Sequence, residues 1–205
     1  MNAIQYQNKA IYPSKVVCIG KNYVGHIKEM DGVVPDEMVM FFKPNSSVTD
    51  QVYASSTELI HYEAEISFLI SAGDIIAVGF GLDLTKRTLQ RQLKDKGLPW
   101  ERAKAFSGSA VFSEFIPFDG DVSDLRLQLF INEKLVQQGG VALMLNKPDA
   151  VLAEVKSFVS FEDGDILMTG TPKGVGEVKT GDSYVGRIFN KEILLIEQQW
   201  QVKAF

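Results

Sequence analysis

HYEAEISFLI, residues 61–70, decides the fold class of this chain. Side chains along a strand alternate between two faces. Tyr62, Ala64, Ile66, Phe68 and Ile70 then form one apolar face, and His61, Glu63, Glu65 and Ser67 the other. The period is two rather than 3.6, so the stretch predicts a strand. Similar short runs rich in β-branched, aliphatic or aromatic residues recur at VVCIG (16–20), MVMFF (38–42), LRLQLFIN (125–132), DILMTG (165–170) and ILLIEQQWQV (193–202). Asp-Gly pairs at 119–120 and 163–164 mark turns between such runs. Helical patterning is confined to two segments. In PDAVLAEVKSFVS, residues 148–160, Val151, Leu152, Val155, Phe158 and Val159 share a face and Pro148 suits a first turn. LTKRTLQRQLKDKG, residues 84–97, ends in basic residues, Gly97 and then Pro99, a stop signal. The expected fold is mainly β (α+β) with a few helices. Regular helices do not separate the strands, which argues against a doubly wound parallel sheet.

Composition narrows the function. The 205 residues suit one domain with a sizeable core, and the 45% hydrophobic and 23% charged fractions are those of an ordinary globular chain. Residues 1–15 read as a lead-in packed on a single domain over 16–205. The net charge is −5 and Lys and Arg occur singly, so no nucleic-acid or membrane-surface patch is expected. No apolar run approaches a bilayer span, and the first residues lack a signal peptide's apolar stretch. The single cysteine, Cys18, excludes an internal disulfide and reads as a buried small hydrophobe. A cytoplasmic protein is the expectation. With two histidines and one cysteine, a zinc site is disfavoured, and any metal would be a hard cation on oxygens. TGTPKGVGEVK (169–179) lacks the ending of a phosphate loop.

Chemistry concentrates at a few positions. Glu63 and Glu65 point the same way, roughly 7 Å apart at Cα by strand rise. They are either the exposed polar face of a half-buried strand or a carboxylate pair for Mg²⁺ or Mn²⁺. Asp83 is either the N-cap of the helix at 84 or a third ligand. Arg87 and Gln90 follow it at i+4 and i+7, on the same stripe if Asp83 is helical, and would suit a carboxylate-bearing ligand. His26, in GKNYVGHIKEM (20–30), precedes Glu29 by three residues, within reach on a helix. It is a surface histidine or a base with an orienting partner. His61 shares the Glu63 face and is either a neighbour of the acidic pair or an exposed residue.

Six pieces, in order, resemble the fumarylacetoacetate hydrolase family in its small single-domain members, which act as acylpyruvases and oxaloacetate decarboxylases. They are GKNYVGHIKEM, FFKPNSSV, HYEAEISFLI, LDLTKRTLQRQLKDKGLPWERAKAF, INEKLVQQG and GDILMTGTPKGVG, and the resemblance covers about Val16 to Val202. The resemblance implies a roll of coiled mixed sheets with peripheral helices, and a homodimer. It implies Glu63, Glu65 and Asp83 as metal ligands, with Mg²⁺ as cofactor and Mn²⁺ or Ca²⁺ as substitutes. It implies His26 and Glu29 as the pair that activates a water, Lys104 as a catalytic lysine, and Gln90 and Thr171 as substrate contacts. Lys21 stands where the family often has arginine, which would alter the hold on a substrate carboxylate. Only 17 residues separate Glu65 from Asp83, fewer than is common in the family, so SAGDIIAVGFG (71–81) looks truncated.

The implied activity is hydrolysis of the C–C bond of an acylpyruvate, a 2,4-dioxo acid, to pyruvate and a carboxylic acid through a metal-stabilised pyruvate enolate. Oxaloacetate decarboxylation and 2-oxo acid isomerisation or tautomerisation use the same enolate, and form the alternative. A non-catalytic binding protein on this fold is a second alternative.

Overall fold

The computed structural model of the chain describes residues 1–204. The decisive stretch divides at Glu63 into the end of the strand Ile60–Tyr62 and the strand Ala64–Ser71, which a two-residue turn at Ala72 and Gly73 joins to Asp74–Asp83. Both turn residues have positive φ, 51° and 82°. That geometry matches the right-handed twist of paired strands, and glycine supplies it without steric cost. The segment that looked truncated is therefore a tight hairpin. Its register sets Ala64 against Leu82 and Glu65 against Gly81, and the Asp83 N–H donates to the Glu63 carbonyl at 2.8 Å.

This pairing corrects the reading of Asp83 as an N-cap. Asp83 ends a strand, Thr85–Lys86 pairs with Ile60–Tyr62, and helix α2 begins only at Arg87, with Lys86 at its N-cap. Arg87 and Gln90 share a helical face, but Asp83 is not on it.

The hairpin lies in a mixed sheet. Across it run Val39–Pro44, Lys15–Gly20, Ile166–Met168, Ala64–Ser71, Asp74–Asp83, Ala110–Phe112 and Val48–Thr49. Lys15–Gly20 is parallel to Ile166–Met168, and Ala110–Phe112 to Val48–Thr49; the other neighbours are antiparallel. A second, antiparallel sheet runs Lys134–Gly140, Leu125–Ile131, Ser183–Asn190, Ile193–Gln201. Ala64, Ile66, Phe68, Phe80 and Leu82 pack against Leu125, Leu127, Leu129, Ile188 and Trp200 of that sheet. The two sheets approach so closely at Gly186 that a Cβ there would lie 2.7 Å from the Phe80 ring.

The opposite face of the mixed sheet is also covered. Val16, Cys18, Leu69, Ala77, Phe112, Phe115 and Met168 form a second cluster, joined by Ile4 from the N-terminal lead-in. The exposed-polar-face reading of Glu63, Glu65 and Ser67 is therefore overturned, because they are 5%, 1% and 0% exposed. Alternation in this strand separates two buried environments, one apolar and one ionic.

Helices lie at the periphery: α1 (Val24–Glu29), α2 (Arg87–Asp95), α3 (Glu101–Lys104) and α4 (Pro148–Lys156). α4 buries Val151, Leu152 and Val155 but stops before Phe158, which is exposed. Among the described residues no helix is long and apolar enough to cross a membrane.

Overpacking a tight core costs about 1–3 kcal/mol. Gly186→Ala should therefore lower unfolding free energy by about that amount in urea titrations, whereas Gly97→Ala, with nothing within 4 Å, should lose only what its positive φ costs.

Candidate active site and metal centre

Hairpin register brings the three sequence-predicted carboxylates together. Glu63, Glu65 and Asp83 each offer an oxygen within 4.8 Å of the others, and all three are buried. Glu65 accepts a hydrogen bond from the Gly170 N–H at 2.7 Å. Opposite it, a Cβ at Gly81 would lie 2.3 Å from the Ser67 hydroxyl, so a larger residue there would have to displace that side chain.

Two lysines offset this charge. Lys104 Nζ lies 2.7 Å from Glu63 Oε2, 2.6 Å from Asp83 Oδ2 and 2.6 Å from Thr85 Oγ1. An ammonium has three donors, so in this state Lys104 has none left for a substrate oxygen. Lys43, fully buried, stands 2.8 Å from Asp83 Oδ1. It also donates to the Ser109 hydroxyl and carbonyl and to the Lys104 carbonyl, which ties the end of α3 to the sheet.

Ionisation follows this geometry. Burial raises the Glu63 carboxyl, but the Lys104 ammonium overrides it and holds the pKa at about 2. Lys104 is pushed up: burial works against its charge, and Asp83 and Glu63 more than reverse that. Glu65 moves the other way and is raised well above the usual carboxylate range by burial, by Asp83 and by Glu63, against the Gly170 hydrogen bond. Burial and the neighbouring acids thus favour the neutral form of Glu65, and a bound cation would favour its ionised form. A hard divalent cation fits that donor set of three clustered carboxylates.

The second predicted pair also forms. α1 carries His26, whose Nδ1 is 3.2 Å from Glu29 Oε2. Glu29 accepts the Gly174 N–H at 2.8 and 3.1 Å. The segment 170–174 therefore binds both halves of the site, through Gly170 to Glu65 and through Gly174 to Glu29. Gly174 has φ of 104° and fits against Val136, whose carbonyl a Cβ would meet at 2.0 Å. The site's other anchor is Asn22, which bonds the carbonyls of Asn146 and Thr169 and fixes the start of α1.

A cavity of about 300 Å³ opens between α1 and α2. His26, Glu63, Arg87, Gln90, Lys104 and Lys21 line it. Arg87 donates to Gln90 at 2.7 Å and approaches Glu63 to 3.7 Å. Glu65 and Asp83 are not on its wall, and Glu29 supports His26 from outside it. Thr171 is placed differently from the expectation. Its hydroxyl donates to the Ala64 carbonyl at 2.9 Å and accepts from Gln137 at 2.8 Å, so it serves the scaffold and does not reach the cavity. His61 does not line the cavity either; burial and Arg87 lower its pKa.

Lys43, Thr85, Gly170 and Gly174 escaped the sequence reading as site residues. Lys43 was signalled only by its position inside the apolar run MVMFFK, where a charge needs a partner. Two of the others act through backbone N–H groups, which every residue but proline has.

Fold and site together define a small, mainly β scaffold around a buried carboxylate triad that could hold a metal ion. Residues 15–193 match the model of the fumarylacetoacetate (FAA) hydrolase C-terminal family, and the chain belongs to that family. It is similar to the oxaloacetate tautomerase YcgM of Escherichia coli, 41% identical over 190 residues that cover 83% of this chain and 87% of the relative. It is also similar to the human mitochondrial oxaloacetate tautomerase FAHD1, 35% identical over 185 residues covering 82% and 83%. A solved structure from Oleispira antarctica, a candidate fumarylacetoacetate isomerase/hydrolase, superposes with a TM-score of 0.92 at 32% identity, covering 98% of this chain and all of that one.

Removing one partner from a buried ion pair costs about 3–5 kcal/mol. Lys104→Met should therefore destabilise the metal-free protein by about that much in urea titration near neutral pH, and Mg²⁺ should restore part of the loss. The Glu63 contribution has the sign of a depressed carboxylate. It is present above the unfolded-state value and fades as pH falls from there toward about 2.

Proposed function

We propose that this chain interconverts the keto and enol forms of a 2-oxo acid, with oxaloacetate as substrate, rather than cleaving acylpyruvates as its first role. The observation that carries this is the meeting of the His26–Glu29 pair with Glu63 of the carboxylate triad at one cavity. The name shared by the bacterial and human relatives favours tautomerisation over hydrolysis.

Enolisation needs a proton taken from C3 while negative charge grows on the 2-oxygen. Mg²⁺ held by Glu63, Glu65 and Asp83, or Mn²⁺ or Ca²⁺ in its place, would supply Lewis acidity toward the 1-carboxylate and the 2-oxygen. Directing Nδ1–H at Glu29 leaves the His26 Nε2 lone pair for the C3 proton. Glu29 holds that tautomer and stabilises the imidazolium that forms. The same Nε2–H then returns the proton to oxygen or carbon, depending on direction. Gln90 and Arg87 orient the substrate 1-carboxylate from α2, where a guanidinium offers paired donors. Lys104 contributes positive charge beside Glu63, and gains a free donor whenever its carboxylates engage a cation.

The same groups would serve C–C hydrolysis if His26 activated a water at C4, or decarboxylation if C4 left as CO₂. The non-catalytic reading finds no lost ligand or broken pair to support it.

The test follows enol absorbance of oxaloacetate on metal-stripped protein, with and without Mg²⁺, while pyruvate is assayed in parallel. We expect Mg²⁺-dependent loss of the enol without matching pyruvate, and His26→Ala should lower kcat/KM by about 10²–10⁴-fold. Pyruvate released from acetylpyruvate with a higher kcat/KM would favour the hydrolase instead. Absence of turnover and of calorimetric Mg²⁺ binding would leave a binding protein.

A further inference from the structure

The cavity carries more positive charge than the proposed reaction uses. α2 presents Arg87, Gln90, Arg91 and Lys94 at i, i+3, i+4 and i+7, which is one helical stripe. All four line the cavity, and Lys21 joins them from the end of the Lys15–Gly20 strand. Arg87 and Gln90 are bonded to each other, and Arg87 also faces Glu63. Lys21, Arg91 and Lys94 have no such partners. Among the described residues, none of these three side chains makes an ion pair or hydrogen bond. The acids on the same wall, Asp31 and Asp95, are paired with none of them.

Unpaired like charges gathered at one concavity are a cost to the free protein. Lys94 shows it: burial, then the charges of Lys21 and Arg87, lower its pKa. Its ammonium lies 5.2 Å from the Trp100 ring centroid, a contact that holds it at the cavity rim. Lys21 adopts φ of 55°, a left-handed conformation uncommon for a side-chain-bearing residue and concentrated at ligand sites. An anion among the three would relieve the repulsion and satisfy their donors. The chelating end of the substrate cannot be that anion, since it belongs beside Glu63.

We propose that Lys21, Arg91 and Lys94 form a second carboxylate-binding subsite, so that the cavity selects 2-oxo acids with a distal carboxylate over those ending in an alkyl group. This rests on the 2-oxo acid reading of the site and adds the groups that set its specificity. The substrate lies across the cavity, with its 2-oxo end toward Glu63 and Lys104 and its far carboxylate toward α2's last turn.

Calorimetry with Mg²⁺ present tests it on matched pairs: oxaloacetate against 2-oxobutyrate, and 2-oxoglutarate against 2-oxopentanoate. Oxalate, which has only the chelating end, serves as the control. In the native protein the dicarboxylate of at least one pair should bind about tenfold tighter or more, as charge-assisted hydrogen bonds allow. The double variant Arg91→Gln, Lys94→Gln should lose that preference while keeping its oxalate affinity. Equal affinities within both pairs in the native protein would overturn the subsite. So would a preference that survives in the double variant, or a loss of oxalate affinity as large as that for the dicarboxylate. The outcome separates from the tautomerase reading: a preference without enol turnover keeps the subsite and removes the tautomerase. Binding of neither oxalate nor any 2-oxo acid removes both.

Discussion

Three carboxylates buried within one small volume repel one another, and much of this structure is arranged around offsetting that repulsion. Lys104 bridges Glu63 and Asp83, and Lys43 reaches Asp83 from the other side. Neither lysine is free to leave. Lys43 is fixed by carbonyls at Leu84, Lys104 and Ser109, so the chain around α3 is held by the same ammonium that meets the acid. Stability and function therefore draw on one set of contacts. Buried ion pairs of this kind contribute little net stability compared with apolar packing, but a missing partner is expensive.

The site joins two parts of the chain that move toward each other only through the sheet. Glu63, Glu65 and Asp83 come from the hairpin, while His26 and Glu29 stand on a short helix after a different strand. The segment 170–174 links them by donating one N–H to each half. A helix as short as α1 has little stability of its own. Its position depends on Asn22, on the Glu29 contact with Gly174, and on buried Ile27. His26 is thus placed by tertiary contacts and not by helix propensity.

α2 has a different role. Its cavity stripe is polar and cationic, and Leu93 is its one buried apolar residue. Such a helix adds little to the core, yet it presents guanidinium, amide and ammonium groups to one opening. The hairpin end supplies acids and α2 supplies bases, so a polarised cavity lies between them.

The sequence by itself determined the strand character around residues 64–70 and the mainly β class; the triad came from the family resemblance, since the residues alone left an exposed strand face and an N-cap open. Period-two alternation and residue type are local properties, and the resemblance ordered the motifs. It also held the spacing of His26 and Glu29, which a helical turn converts directly into contact. Tertiary structure alone decided the environment of the polar face. Alternation reports which side chains share a side, not whether that side meets water, and the covering cluster around Phe112, Phe115 and Met168 comes from distant segments. Only the hairpin register could show that Asp83 ends a strand opposite Glu63, since a good N-cap residue before a helical pattern reads the same either way. Lys43, Gly170 and Gly174 were illegible for a related reason. Their roles consist of where a buried charge or a backbone N–H points, and that is set by packing between segments 41 to 145 residues apart.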